Sequence, residues 1–264
     1  MQHFVQNISP VIFSIGPIAV RWYGLAYLIG LLVGIKILKK LYRQADNADS
    51  APELDDFVFY ATLGVILGGR LGEVLFYSPA YFFNHPVEIL AVWTGGMSSH
   101  GGMIGLLIAA YWYAKRHNID FRSFADALVM AAPLGLFLGR VANFINSEFV
   151  GKITTVSWAV VFPVYDLFPR HPAQLYQALA EGPILFLVLY FVWKKHIATG
   201  LVASTFVVVY GTTRFFTEFF REVDPSYLGL YVGLTNGQLY SLIMIVIGLV
   251  LTVYFNGGIK HSRT

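Results

Sequence analysis

Arg140, Asn143 and Asn146 follow one another at intervals of three residues, and Glu148 stands two places further on. In a helix each step of three drifts only ~60° round the axis, so these side chains share one broad face. A guanidinium fork flanked by amide donors is suited to holding an anion. The group closes an apolar run, Ala127 to Leu138. Charge at membrane depth is costly, and residues that carry it tend to face a protein interior and serve function. The simpler reading is an arginine at a helix end snorkelling toward lipid headgroups. The asparagines and the glutamate favour a site.

A second polar stripe lies later in the chain. Tyr210, Arg214, Glu218 and Arg221 fall at i, i+4, i+8 and i+11, within ~80° of one another on a helix. Two arginines against one glutamate leave positive charge for an anion to balance; alternatively Glu218 simply pairs with both. Arg70 and Glu73 sit one turn apart, with Tyr77 on the same stripe. They are substrate-binding candidates or an internal ion pair that locks two helices. His100 stands in a Gly95–Gly102 segment rich in glycine, where Ser98 and Ser99 can cap a helix start. A lone histidine there is either structural or a proton acceptor at the outer mouth. Tyr23, in Arg21-Trp22-Tyr23-Gly24, is by default part of an interfacial aromatic belt. No GxSxG elbow, HExxH pair or glycine-rich nucleotide loop is present. With no cysteine and no Asp/Glu/His cluster, neither a metal nor another cofactor is expected.

These residues must be positioned by elements suited to lipid. Of the 264 residues, 56% are hydrophobic and only 12% charged, against ~25% charged in soluble domains. Runs of ~20 apolar residues, enough to cross a bilayer, fall at roughly 18–41, 57–78, 101–115, 125–145, 173–193, 200–220 and 236–256. Lys36, Lys39, Lys40 and Arg43 end the first, Lys115, Arg116 and Arg122 follow the third, Lys194 and Lys195 the fifth, and Lys260 and Arg263 the last. The alternate loops are poor in cations: 79–100 holds none, and 146–171 holds only Lys152 and Arg170. The positive-inside rule then puts the N-terminus outside and the C-terminus in the cytoplasm, which an odd number of spans requires. The formal charge of +3 is thus spent on topology, and no nucleic-acid partner is expected. The first 17 residues have no basic region before their apolar run, so no cleavable signal peptide is expected. Val156–Phe162 reads as a short strand, and the outer loops at about 79–99 and 146–171, with Tyr81, Phe82, Phe83 and Trp93, can build a small cap. The expected fold is an all-α polytopic membrane protein: one transmembrane domain, residues 1–264, of about seven helices with a small extracytoplasmic cap. No internal repeat or second domain is visible.

The segment Gly139–Gly151 resembles the signature of the prolipoprotein diacylglyceryl transferases, G-R-x-G-N-F-x-N-x-E-x-x-G. Arg140, Asn143, Phe144, Asn146, Glu148 and Gly151 stand at its positions, and Ala142 replaces one glycine. Similar matches occur at Arg21–Leu25, Gly68–Arg70, His100–Gly102, Arg170–Tyr176 and Tyr210–Arg214 through Arg221. Gln177 departs from an expected glutamate, and the outer loop before Arg170 is short for the family. The resemblance implies an enzyme of the bacterial cytoplasmic (inner) membrane. It would move the diacylglyceryl group of phosphatidylglycerol onto the lipobox cysteine of a prolipoprotein signal peptide, releasing glycerol phosphate. Arg140 and Arg214 would stabilise the leaving phosphate. His100 would take the thiol proton or orient the substrate. Tyr23, Arg70, Asn143, Asn146, Glu148, Gly151, Tyr210, Glu218 and Arg221 would bind substrate. An anionic-lipid transporter is the competing class, marked by paired broken helices in two halves, which the sequence lacks.

Overall fold

A computed structural model of the chain describes residues 3–16, 18–46, 54–92, 96–195, 198–223 and 233–261. Trp93 and Arg263 lie outside the described residues, as do the side chains of Arg43, Ser99, His100 and Lys260. The chain is mostly helical: α1 (Trp22–Asp46), α2 (Asp55–Gly72), α3 (Pro79–Asn84), α4 (Ser99–Arg116), α5 (Phe121–Ile145), α6 (Ala173–Leu179), α7 (Leu185–Lys194), α8 (Leu201–Thr217) and α9 (Asn236–His261). The apolar runs of the sequence fall on these helices, except that the first, 18–41, begins in a strand, Ile18–Arg21, before it enters α1. Four stretches among the described residues are long and apolar enough to cross a membrane: Asp56–Tyr77, Phe121–Ile145, Ala173–Lys194 and Asn236–Asn256. Five short strands complete the fold: β1 (Phe4–Val5), β2 (Val11–Ile15), β3 (Ile18–Arg21), β4 (Val160–Val161) and β5 (Pro169–Arg170). The strand expected over 156–162 is confined to its last part, because a turn occupies Ser157 and Trp158.

The chain divides into two compact units, Met1–Leu38 with Asp126–Thr264, and Lys39–Ala125. In the first, β2 and β3 form a hairpin that leads into α1, and Gly16 takes a left-handed φ of 58° at its turn. β4 lies between β1, which it pairs in parallel, and β5, antiparallel. Beneath this sheet Phe144, Val150, Val160 and Phe162 form a buried cluster with Leu175 against it. α8 packs along α9, where Gly211 and Gly248 allow close approach and Thr252 Oγ1 donates to Ser204 Oγ at 3.0 Å. Buried Asp126, at the foot of α5, accepts the backbone N–H groups of Gly200 and Ala203, each at 2.7 Å. Those donors open α8 and have no intrahelical partner, so Asp126 caps that helix from a distance.

In the second unit α2 and α4 meet along a glycine seam. A Cβ on Gly68 would come 2.3 Å from the carbonyl oxygen of Gly101, and one on Gly105 2.0 Å from that of Gly64. Only glycine permits such backbone proximity. Tyr42, Phe57, Tyr113 and Phe124 form a buried aromatic group at one end, with Phe57 edge-on to Phe124 at 4.9 Å. At the other end α2 widens into a π-helical turn, Glu73–Tyr77.

Candidate active site around Arg140

α5 delivers Arg140 and Asn143 to the end of a long apolar helix. The chain then turns sharply, with Ser147 and Phe149 both at positive φ, 56° and 52°. Non-glycine residues seldom adopt this conformation, and it persists where surrounding contacts enforce it. Here the turn folds Glu148 back over the helix end, and its N–H donates to the Asn143 carbonyl at 2.9 Å. Its carboxylate receives Asn143 Nδ2 at 2.9 Å and Asn146 Nδ2 at 3.3 Å. Asn143 Nδ2 also donates to the Tyr23 hydroxyl at 3.0 Å. The amides expected to face an anion directly are thus engaged with Glu148 and Tyr23, because the tight turn brings the carboxylate within their reach. The carboxylate that meets these amides is the protein's own Glu148.

Arg140 meets a residue that sequence reasoning missed. Its Nε donates to Glu181 Oε2 at 2.8 Å and its second guanidinium nitrogen to Oε1 at 3.4 Å. Glu181 is fully buried. It stands where α6 opens into a π-helical turn, Ala180–Ile184, that contains Pro183. Proline has no N–H to give and disturbs the regular ladder, and such single π turns concentrate at functional sites. Gly182 fits there because an added Cβ would lie 2.8 Å from Phe137 Cβ, so α5 and the π turn pack closely. That approach sets Glu181 against Arg140.

The stripe on α8 converges on the same carboxylate. Arg214 lies 4.0 Å from Glu181 Oε1 and 3.2 Å from Glu218 Oε2. Arg221 reaches Glu218 Oε1 at 3.3 Å and covers the Phe149 ring at 4.7 Å. Glu218 is buried, with Gly237 at the start of α9 close behind: a Cβ there would come 2.7 Å from Glu218 Oε1. Tyr210 interacts electrostatically with Arg140, Glu181 and Arg214. One guanidinium nitrogen of Arg214 and Nε of Arg221 are buried without a hydrogen-bond partner among the described residues. Three guanidinium groups face two carboxylates in this cluster, and Glu148, beyond Asn143, is a third.

Gly151 serves the backbone. It accepts Arg170 through its carbonyl at 2.9 Å and bridges to Arg221, and a Cβ would stand 2.2 Å from the His171 carbonyl oxygen. Arg170 also pairs with Asp166 and, at 3.1 Å, with Glu222. The Arg170 hydrogen bond holds the Asp166 carboxyl below the usual carboxylate range. Burial lowers the His171 imidazole, whose Nδ1 lies 3.1 Å from the Tyr176 hydroxyl.

In the second unit Arg70 is engaged with the backbone of the loop after α3. Its guanidinium donates to the carbonyls of Ile89 at 3.0 Å, Gly96 at 3.1 Å, Ala91 at 3.2 Å and Glu88, and it stacks over Phe82 at 4.8 Å. Buried Arg70 therefore organises the loop after α3; an arginine's five donors suit such a task. His100 lies in the first turn of α4, and Ser98 caps that helix by accepting the Gly101 N–H at 3.1 Å, as the serine spacing predicts. Among the described residues no group of three or more His, Cys, Asp or Glu side chains is arranged to hold a metal.

The family model described as prolipoprotein diacylglyceryl transferase matches residues 10–254. The chain is 44% identical to the phosphatidylglycerol–prolipoprotein diacylglyceryl transferase of Rickettsia felis, over 92% of this chain and 95% of the relative. It is 47% identical to that of Nitrosomonas europaea, over 93% and 89%. For that of Geobacter sulfurreducens the identity is 44%, over 94% and 95%. A match of this length, with the signature arginine at the centre of a buried ionic cluster, leaves one assignment: the chain belongs to the prolipoprotein diacylglyceryl transferase family.

Proposed function

We propose that the chain transfers the diacylglyceryl group of phosphatidylglycerol to the lipobox cysteine thiol of a prolipoprotein signal peptide, with Arg140 and Arg214 receiving the lipid phosphate. The observation that carries the site assignment is the unpartnered buried guanidinium donors of Arg214 and Arg221 in the Arg140–Glu181–Arg214–Glu218–Arg221 cluster. Buried donors are nearly always paired, and a phosphodiester brings one negative charge with acceptor oxygens. In the reaction a sulfur–carbon bond forms as the carbon–oxygen bond to phosphate breaks. The thiol proton goes to a base, and glycerol phosphate leaves with additional negative charge on the freed oxygen. Guanidinium groups already fixed by buried carboxylates meet that charge without reorganising. His100, at the start of α4, is the candidate base, and Tyr23 with Asn143, Asn146 and Glu148 forms the wall beside the phosphate.

The wider reading is a bacterial inner-membrane protein of about seven spans, residues 1–264 as one transmembrane domain, N-terminus outside and C-terminus cytoplasmic. The loops at 79–99 and 146–171 would cap it on the outer side. The test is to incubate the purified protein in phosphatidylglycerol vesicles with a synthetic lipobox peptide, and with the same peptide carrying serine for cysteine. The cysteine peptide should gain a diacylglyceryl thioether by mass, and the serine peptide should not. Transport of lipid between leaflets with both peptides unchanged would favour the transporter reading.

A further inference from the structure

The face of α6 that leads to Glu181 carries two glutamines, Gln174 and Gln177, both fully buried. On a helix residues 174, 177 and 181 fall within ~60° of one another, so they share one face. Gln174 donates its amide to the Glu148 carbonyl at 2.7 Å but leaves Oε1 without a hydrogen-bond partner. Gln177 has neither its Nε2 nor its Oε1 partnered among the described residues. A buried amide with both ends unmet is unfavourable in the resting protein. An apolar side chain would fill this place without that penalty, so packing does not explain the residue.

The surroundings indicate what the amide meets. Glu181, four residues further on in the π turn that continues α6, is bonded to Arg140 and lies 4.0 Å from Arg214. Gln177 precedes Glu181 by about one helical turn on the same side, so a phosphodiester held by those arginines would lie on the side that Gln177 faces. The amide offers a donor and an acceptor side by side, and hydroxyls can answer both at once. We propose that Gln177 binds the hydroxyls of the lipid headgroup and selects a glycerol phosphodiester over an alkyl phosphodiester of equal charge. This rests on the transferase reading and adds a specificity-determining residue to it. A pocket built to hydrogen-bond a hydroxyl rejects an analogue that lacks it, because its own polar atoms are then left unpaired.

The test compares phosphatidylglycerol with phosphatidylpropanol, which keeps the phosphate charge and headgroup length but has no hydroxyl. The wild type should prefer phosphatidylglycerol in kcat/KM. Gln177→Leu and Gln177→Met should each shrink that preference by about 10- to 100-fold, the range expected for one buried polar interaction. Their melting temperatures should equal or exceed that of the wild type, since the unmet amide is gone. A structural role would instead lower the melting temperature of both variants. A wild type indifferent to the two lipids would overturn the proposal, and so would variants slowed equally on both. So would a raised KM for the peptide with the lipid preference intact. Transfer from neither lipid would overturn the transferase reading itself.

Discussion

Arg140 and Arg214 are held by carboxylates before any ligand arrives, and their geometry is what distinguishes them from mobile surface cations. Lysine keeps the charge but not the planar fork. Arg140→Lys and Arg214→Lys should each lower kcat for thioether formation by about 10²–10³-fold, the usual effect of removing one preorganised donor. Glu181→Gln removes the carboxylate that both arginines share. It should lower activity and also cost about 3–5 kcal/mol in unfolding free energy, because a buried cation loses its partner. Thermal or denaturant unfolding of the purified variant measures this, and unchanged stability with unchanged rate would dismiss Glu181. At His100 the expectation concerns pH. If the imidazole removes the thiol proton, turnover should rise between roughly pH 5.5 and 7.5. His100→Gln should be slower by about 10²–10⁴-fold. The variant should recover in part near pH 8.5, where a free thiol ionises unaided. The arginines, Glu218 and Tyr210 were legible in the sequence because they repeat at helical spacing. Glu181 was not, since its partner Arg140 lies 41 residues away and its near neighbours, Ala180, Gly182 and Pro183, bear no charge. Pairing of that kind is a product of the packing of α5 against the π turn, which no local pattern encodes.

At the level of elements, two features make separate claims. The α2–α4 seam depends on bare backbone at Gly64, Gly68, Gly101 and Gly105. Gly105→Ala places a methyl group in contact with a carbonyl rather than with a flexible side chain. It should destabilise the protein by about 1–3 kcal/mol, the usual cost of overpacking; a melting temperature equal to wild type would show that the helices part freely. In the loop between α5 and α6, Asp166 has its carboxyl pKa lowered by its hydrogen bond from Arg170. A depressed folded-state value means the contribution is present above the unfolded aspartate value, ~3.9. It is lost as pH falls through the folded value. Asp166→Asn should therefore weaken the loop at pH 7 and make little difference in strong acid. Amide exchange of residues 166–170 across that range would report it. The helices were predictable from apolar length and the loop chemistry from Ser98 at its cap. β4 falls at the end of the strand read over 156–162, but the two-residue strands β1 and β5 were not legible, since stretches so short carry no periodicity and are fixed by a pairing partner elsewhere, as Phe4 is by Val160.

For the whole molecule, loop charge and apolar length agree on a membrane protein, and they predict a direction. A reporter active only outside the cytoplasm should work when fused in the 79–99 loop and fail after Lys260; the reverse would put the Arg140 cluster on the wrong side for prolipoprotein substrates. In this reaction one event breaks the lipid and modifies the peptide. The direct measurement is the amounts of thioether peptide and glycerol phosphate produced in the same vesicle reaction, for the wild type and for Arg214→Lys. The account predicts equal molar amounts from the wild type and a parallel fall of both in the variant. Glycerol phosphate released without modified peptide, or produced undiminished by Arg214→Lys, would contradict it.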